Sequence, residues 1–326
     1  MKKGLKAFSS LLIAILVAIQ IVPAVGAQEN DARTILQEIN QTNNEVISMR
    51  GEGFLSLSMV SNEQRADLGQ LNFDFAYNID PKFALDAKAE VVSPFIGEAL
   101  NLGVFYDNGV AYLFDGTAWE ARDFSAEEQA ISDAFSEAMG EITNGPDSEE
   151  AQAMLDINVK YTDLEVTDTE YIFSLKENIN AEELWADLNN VVDLEALKDE
   201  AIAQAEAEAG EAIDQASLDT IESMYSAETL DAILKTNPVV DVHYDKETLR
   251  VTNFTFEFNI NLADFIPEED LVDEEGNSTA SQLPQLIIVA GEINFSNFGE
   301  QFDISVPQEA IDSLIPEESV EESSQE

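Results

Sequence analysis

The stretch of residues 251–262 is dominated by an alternation of apolar and polar side chains. Successive side chains of a β-strand point to opposite faces, so this alternation predicts a strand with one apolar and one polar face. The apolar positions are Phe254, Phe256, Phe258, Ile260 and Leu262. Such a strand predicts an antiparallel sheet whose apolar face must be covered by other elements.

The same alternation occurs in two consecutive stretches nearer the N-terminus, residues 71–79 and 82–91. The large side chains that share a face are Phe73, Phe75 and Tyr77 in the first stretch and Phe83 and Leu85 in the second. Short strands at 103–106 and 110–114 flank Asn108-Gly109, a dipeptide typical of a tight hairpin turn. A further short strand contains Trp119. This part of the chain is therefore predicted to be a meander of strands.

Apolar residues at helical spacing predict helices at 31–48, at 125–140, in a short segment ending near Leu155, and throughout 180–236. The long helical section offers apolar side chains that could cover the sheet: Leu184, Trp185, Leu188, Met224 and Tyr225. Further strands are predicted at 51–60, 157–166, 170–175, 238–244, 248–262, 286–297 and 301–306. Strands thus come from both ends of the chain, which favours a single domain spanning residues 28–315.

Residues 1–27 are predicted to be a secretory signal peptide. The segment begins with three lysines, continues with an apolar run at 11–22 and ends in the small residues Gly26 and Ala27. An uncleaved N-terminal anchor is the alternative, and both place the folded part outside the cytoplasm. At the other end, residues 316–326 are predicted to be an acidic disordered tail, and residues 267–281 a flexible acidic loop.

The chain carries 66 acidic and 15 basic residues, a formal net charge of -51. Such a charge repels nucleic acids and anionic membranes and so excludes binding to a phosphate backbone. Two interpretations of the charge stay open: solubility in salty or mildly acidic surroundings, or binding of cations or a basic partner.

Neither a catalytic centre nor a metal or cofactor site is predicted. The chain lacks cysteine, which excludes disulfides, thiolate metal sites and an N-terminal lipid-modified cysteine. His243 is the only histidine, so histidine triads and multi-histidine metal sites are excluded as well. Residues 273–276 resemble a calcium loop only faintly, because Leu271 occupies the first ligand position. We interpret that segment as a solvated loop and His243 as a cross-strand polar residue.

Three motifs, in this order, resemble the LolA-like and LppX-like lipoproteins of bacterial envelopes and their secreted Gram-positive relatives. The first runs from Val104 through a hairpin to Trp119. The second is the turn Tyr244-Asp-Lys-Glu-Thr-Leu249, and the third leads from Ile293 to Pro307. The resemblance covers roughly residues 31–310. The chain departs from the lipidated members in having no lipobox cysteine, and its helical section 180–236 is enlarged.

The resemblance implies an α+β fold, in which helices pack on the concave face of a curved antiparallel sheet, or half-barrel. It also implies a non-enzymatic envelope protein that holds a lipid-like ligand between sheet and helices. The candidate cavity wall consists of large apolar side chains: Phe73, Phe75, Tyr77, Phe83, Leu85, Trp119, Trp185, Met224, Phe254, Phe256 and Phe258. The alternative is an acidic extracellular module that binds protein partners and has a filled core.

Overall fold

The computed structural model describes residues 29–43, 46–61, 64–79, 82–124, 149–209, 212–261 and 286–313. Four predicted features lie outside the described residues: the signal peptide (1–27), the helix 125–140, the acidic loop 267–281 and the tail 316–326.

The described residues form an α+β fold, as predicted. The strands are β1 (Ser48–Ser61), β2 (Gln64–Asn78), β3 (Ala84–Val92), β4 (Leu100–Asp107), β5 (Val110–Phe114), β6 (Trp119–Asp123), β7 (Thr162–Val166), β8 (Glu170–Leu175), β9 (Val239–Asp245), β10 (Val251–Ile260) and β11 (Leu286–Ser296). The helices are α1 (Glu29–Asn43), α2 (Glu149–Tyr161), α3 (Ala181–Asn189), α4 (Leu194–Ala209), α5 (Gln215–Met224), α6 (Ala227–Leu234) and α7 (Gln308–Asp312).

These strands form one 11-stranded sheet in the order β6-β5-β4-β3-β2-β1-β11-β10-β9-β8-β7. The sheet is antiparallel, curved and not closed into a barrel, which confirms the predicted fold class. Strands from the two ends of the chain are neighbours in it, because β1 pairs with β11.

The chain divides into two compact units. Unit 1 contains α1 to α6 and β7 to β10, and unit 2 contains β3 to β6 and α7. Strands β1, β2 and β11 contribute to both units and are divided after Leu55, Leu68 and Glu292, respectively. The assignment of residues 28–315 to one domain stays a prediction.

The aromatic strand β10 lies in the core of unit 1. Phe254, Phe256 and Phe258 are exposed by 3%, 3% and 1%, and their ring centroids follow one another at 5.6 and 5.7 Å. Helix α6 packs against β10 and also against α3. Leucine side chains of α3 and α6 are buried. Side-chain N-caps fix the start of both helices: Asn180 accepts from the Glu183 N–H, and Ser226 from the Thr229 N–H. The predicted helical cover of this strand is therefore present in unit 1.

Three predicted element boundaries are wrong. Strand β2 begins at Gln64 and not at residue 71, because residues 64–70 carry too few apolar side chains to show the alternation. Residues 157–161 were expected to begin a strand, but helix α2 continues to Tyr161 and β7 begins only at Thr162. The buried side chains Met154, Leu155, Asn158 and Tyr161 follow helical spacing, and the apparent alternation around them is coincidental. Helix α1 ends at Asn43 rather than near Ser48, because the following segment is extended: the Ile47 carbonyl accepts a hydrogen bond from the Ile79 N–H at 2.7 Å.

The predicted closing strand at 301–306 is not a strand either. Its backbone binds a side chain instead of a neighbouring strand. The Asn78 amide accepts from the Phe302 N–H at 3.0 Å and donates to the Phe302 carbonyl at 2.9 Å. Beyond this clamp, Ile304, Val306 and the fully buried Ala310 pack against Phe105 and Tyr112 in unit 2.

The acidic surface leads to a prediction about salt. Pairing every base with one acid would still leave 66 − 15 = 51 acidic groups without a basic partner. Repulsion between these carboxylates opposes folding and is screened by ions. We expect the melting temperature to rise as salt is added over the molar range, by about 2–4 °C for each kcal/mol relieved. Differential scanning fluorimetry can measure this, and a flat or falling curve would show that the acidic surface costs the fold little.

Candidate functional site

The apolar face of β2 continues across three neighbouring strands of unit 2. Paired residues of antiparallel strands share a face, so the register defines transverse rows on the sheet. The rows are Leu71–Val91–Leu100, Phe73–Ala89–Leu102, Phe75–Ala87–Val104–Leu113 and Tyr77–Leu85–Tyr106–Ala111. Every member of these rows is apolar or a tyrosine. We call this surface the apolar wall.

The apolar wall changes from buried to exposed along the strands. In the innermost row, Tyr77 and Tyr106 are only 2% and 4% exposed, and Phe83 closes that end with its ring 5.2 Å from the Tyr106 ring. Burial raises the pKa of Tyr77 to about 12. The two middle rows are half-buried. The outermost row ends in Leu100, which is 40% exposed.

Small residues shape the middle of the apolar wall. Ala87 and Ala89 pair with Phe75 and Phe73 of β2 on one side and with aliphatic residues of β4 on the other. From this pairing of small with large side chains we infer a shallow trough along β3. On β1, Gly51 is buried, and a Cβ there would lie 2.5 Å from the Phe75 ring. The glycine therefore lets the Phe75 ring lie close to the β1 backbone.

Trp119 lies on the opposite face of the sheet. The row that ends in it is Asp74–Lys88–Gly103–Phe114–Trp119. The indole stands 5.0 Å from the Phe114 ring and 5.7 Å from the Phe105 ring. The indole also packs over Gly103, where a Cβ would lie 3.4 Å away, at van der Waals contact. The Trp119 side chain therefore lies on the other face of the sheet from the side chains of Phe73, Phe75 and Tyr77.

The turn before Trp119 is fixed by one carboxylate. Asp115 Oδ1 accepts hydrogen bonds from the Thr117 N–H at 2.8 Å, the Ala118 N–H at 2.9 Å and the Thr117 hydroxyl at 2.7 Å. These bonds, the Ala118 N–H first, hold the pKa of Asp115 below its ordinary value. The turn determines that Phe114 pairs with Trp119, and hence which face the indole occupies.

A groove of about 710 Å³ runs beside Trp119, entirely within unit 2. Its aromatic side is formed by Phe105, Phe114 and Trp119, and the row Phe73–Ala89–Leu102 of the apolar wall also borders it. Its polar side carries charged and amide groups: Glu52, Asn72, Asp74, Lys88, Glu90, Asn101 and Asn294. The Lys88 ammonium lies 5.1 Å from the Phe105 ring centroid and 2.9 Å from Asp86. The groove is therefore mixed in polarity, unlike the apolar wall on the other face.

The other predicted site residues belong to unit 1. Phe254, Phe256 and Phe258 are core side chains, Met224 is 8% exposed, and Trp185 is half-buried on α3. Their role in binding a ligand stays a prediction. His243 lies on β9 with its Nδ1 3.3 Å from Glu170 Oε2, which fits the predicted cross-strand polar residue.

Two parts of the candidate site were not predicted from the sequence. The trough alanines, Ala87 and Ala89, share the predicted face of residues 82–91, but their small size did not single them out. The polar residues of the groove carry no recognisable motif, because they come from five separate strands. Only the pairing register brings them together.

The described residues lack two features that would point to other functions. These residues contain no group of three or more histidine, aspartate or glutamate side chains placed to hold a metal ion. Among the same residues, no helix combines the length and the hydrophobicity that crossing a bilayer requires.

No family model and no curated protein matches the chain. Among solved structures, the chain is similar to LprF from Mycobacterium bovis, with 8% sequence identity and a TM-score of 0.31 over 87% of this chain and 99% of that one. It is also similar to a DUF1329 family protein from Desulfovibrio piger, with 10% identity and a TM-score of 0.20 over 84% of this chain and 93% of that one. The family assignment stays a prediction.

Proposed function

We propose that the chain is a secreted, non-enzymatic protein of the cell envelope that binds a lipid-like apolar molecule on the apolar wall. The observation that supports this most is the half-burial of the two middle rows. Side chains such as Phe73, Phe75, Leu102 and Val104 form a continuous apolar surface that keeps part of its area in contact with water. A ligand that covers this area gains about 25 cal/mol for each Å² of apolar surface removed from water.

The shape of the apolar wall supports an elongated ligand. The alanines of β3 form a trough that runs along the strand direction, with rings on one side and aliphatic residues on the other. An acyl chain or a similar slender apolar group fits a trough of this kind. The site contains no group that would take part in chemistry, so the proposed role is to hold or carry the ligand.

A second candidate is an acidic extracellular module that binds protein partners and has no ligand. The tight packing of Phe254, Phe256 and Phe258 in unit 1 favours this alternative, since that part of the apolar surface is already covered. The two functions differ in one respect that can be measured: only the first requires an apolar molecule to bind in unit 2.

Binding of a fluorescent fatty acid tests the proposal. Ala89→Trp places a large ring in the trough, and we expect it to raise the dissociation constant of the probe by about tenfold or more, equivalent to about 1.4 kcal/mol. Glu90→Trp is the matched control, because the same ring is placed on the same strand but on the exposed opposite face. We expect the control to bind the probe as the unmodified protein does.

Native mass spectrometry of the mature protein provides a second measurement. We expect a lipid to co-purify with the unmodified protein and with Glu90→Trp. The same lipid should be absent from Ala89→Trp. If the unmodified protein neither binds the probe nor carries a lipid, the interaction module becomes the better description.

A further inference from the structure

An exposed apolar cluster lies at the turn between β3 and β4. Phe95 is 78% exposed, and Val92, Ile96 and Leu100 are 45%, 40% and 40% exposed. Single exposed apolar residues are common on protein surfaces, but Phe95, Ile96 and Leu100 lie within six positions and form a patch that indicates an interaction site. Val92 pairs with Gln70 and lies on the opposite face from Leu100. We call Phe95, Ile96 and Leu100 the apolar tip.

The backbone of the apolar tip has a defined conformation. The Ile96 N–H donates to the Ser93 carbonyl at 3.2 Å, and the Phe95 N–H donates to the Ser93 hydroxyl at 3.3 Å. Pro94 further restricts the turn through its fixed φ angle. These constraints hold Phe95 in an outward position, where its ring makes few contacts within the chain.

The apolar tip is continuous with the apolar wall. Leu100 belongs to both, since it ends the outermost row Leu71–Val91–Leu100. From the buried Tyr77 the surface passes through the half-buried trough to Leu100, and the turn then exposes Phe95. An apolar molecule could therefore move from the tip to the trough without leaving contact with apolar side chains.

We propose that the apolar tip docks onto an electrically neutral lipid surface, from which the apolar wall receives its ligand. This inference rests on the proposed function and adds where the ligand enters. The continuity of the apolar tip with the apolar wall supports it, because a ligand that is nearly insoluble in water needs a donor surface in contact with the exposed end of its binding site. Phe95 and Ile96 then insert among the lipids at the level of the head groups.

The net charge of the chain decides which kind of partner the apolar tip can bind. A second copy of the chain would bring together two molecules with a net charge of -51 each. An anionic membrane would be repelled by the same charge and by Glu90 and Glu98, which lie beside the tip. A zwitterionic lipid surface carries no such penalty, and it offers the apolar layer that Phe95 requires.

Co-flotation with phosphatidylcholine vesicles tests this docking. We expect the unmodified protein to float with neutral vesicles and to bind vesicles rich in phosphatidylglycerol more weakly. The double variant Phe95→Ser, Ile96→Ser should lower the partition coefficient for neutral vesicles by about tenfold or more. Val166→Ser is the matched control, because Val166 is a 54% exposed apolar residue of unit 1 and its loss should leave vesicle binding unchanged.

The fatty-acid probe, used without vesicles, separates this inference from the proposed function. The double variant should still bind the probe, since the trough is intact, and its melting temperature should match that of the unmodified protein. Probe binding without vesicle binding would overturn the docking and leave the proposed function standing. Vesicle binding without probe binding would support the docking and refute the proposed function.

Two further results would overturn the docking. One is equal vesicle binding by the unmodified protein and the double variant. The other is a dimer in analytical ultracentrifugation that the double variant loses, which would assign the apolar tip to a second copy of the chain.

Discussion

Phe256→Ala is expected to lower the free energy of unfolding by about 3–5 kcal/mol, the range typical of a buried phenylalanine truncated to alanine. The Phe256 ring is 3% exposed and stands between the Phe254 and Phe258 rings at 5.6 and 5.7 Å. Helix α6 packs against the same strand. A cavity at this position has rigid surroundings on both sides, so little of the lost contact can be recovered by relaxation.

Urea denaturation followed by circular dichroism measures this loss. Phe95→Ala is the matched control, because it makes the same chemical change at a ring that is 78% exposed. Its effect should stay within about 0.5 kcal/mol. If Phe256→Ala costs less than about 1 kcal/mol, the strand borders an open space, and the ligand-wall role predicted for Phe254, Phe256 and Phe258 gains support.

The free energy of unfolding is expected to fall steeply at alkaline pH. Burial raises the pKa of Tyr77 to about 12, and burial raises the pKa of Tyr244 further still. An unfolded tyrosine ionises near pH 10, so between these values the unfolded chain is stabilised by losing a proton that the folded chain retains. The contribution of each tyrosine is therefore complete below about pH 10 and disappears as the pH rises through the folded-state pKa. By pH 12 the loss from Tyr77 amounts to about 2 kcal/mol.

Denaturant titrations at a series of pH values measure this slope. Tyr77→Phe and Tyr244→Phe should each make the decline above pH 10 shallower, and together they should act additively, because the residues belong to different units. The phenolate absorbance of the folded protein provides an independent reading. Complete ionisation of these tyrosines near pH 10 without unfolding would contradict the burial described for them.

The sequence predicted the strands well where the alternation is bounded by tight turns. Strands β5 and β8 begin and end where the alternation does, at Val110–Phe114 and Glu170–Leu175. The prediction was wrong at residues 157–161, where a short apolar run fits the spacing of a helix as well as that of a strand. It was also wrong at Phe302, where an extended segment pairs with a side chain and not with a strand. The spacing of apolar residues contains no information about the partner of a backbone N–H. Predictions from this spacing therefore cannot avoid errors of this kind.

The candidate site was predictable only in part. Alternation assigns Phe73, Phe75 and Tyr77 to one face of β2, but it does not relate that face to the face occupied by Trp119. That relation depends on the register of four successive strand pairs, and the Asp115 turn decides the last of them. Tertiary contacts likewise determine which rows are buried and which stay half-exposed, and the local sequence pattern does not predict these contacts.

The two outer strands of the sheet affect aggregation. An open sheet presents unpaired N–H and C=O groups along its edges, and these can template the addition of strands from other molecules. Here β6 and β7 are each only five residues long. Both carry exposed carboxylates, Glu120 and Asp123 on β6 and Asp163 and Glu165 on β7. A strand added at either edge would bring like charges together over a short ladder, so an open sheet of this size can remain unpolymerised at high protein concentration.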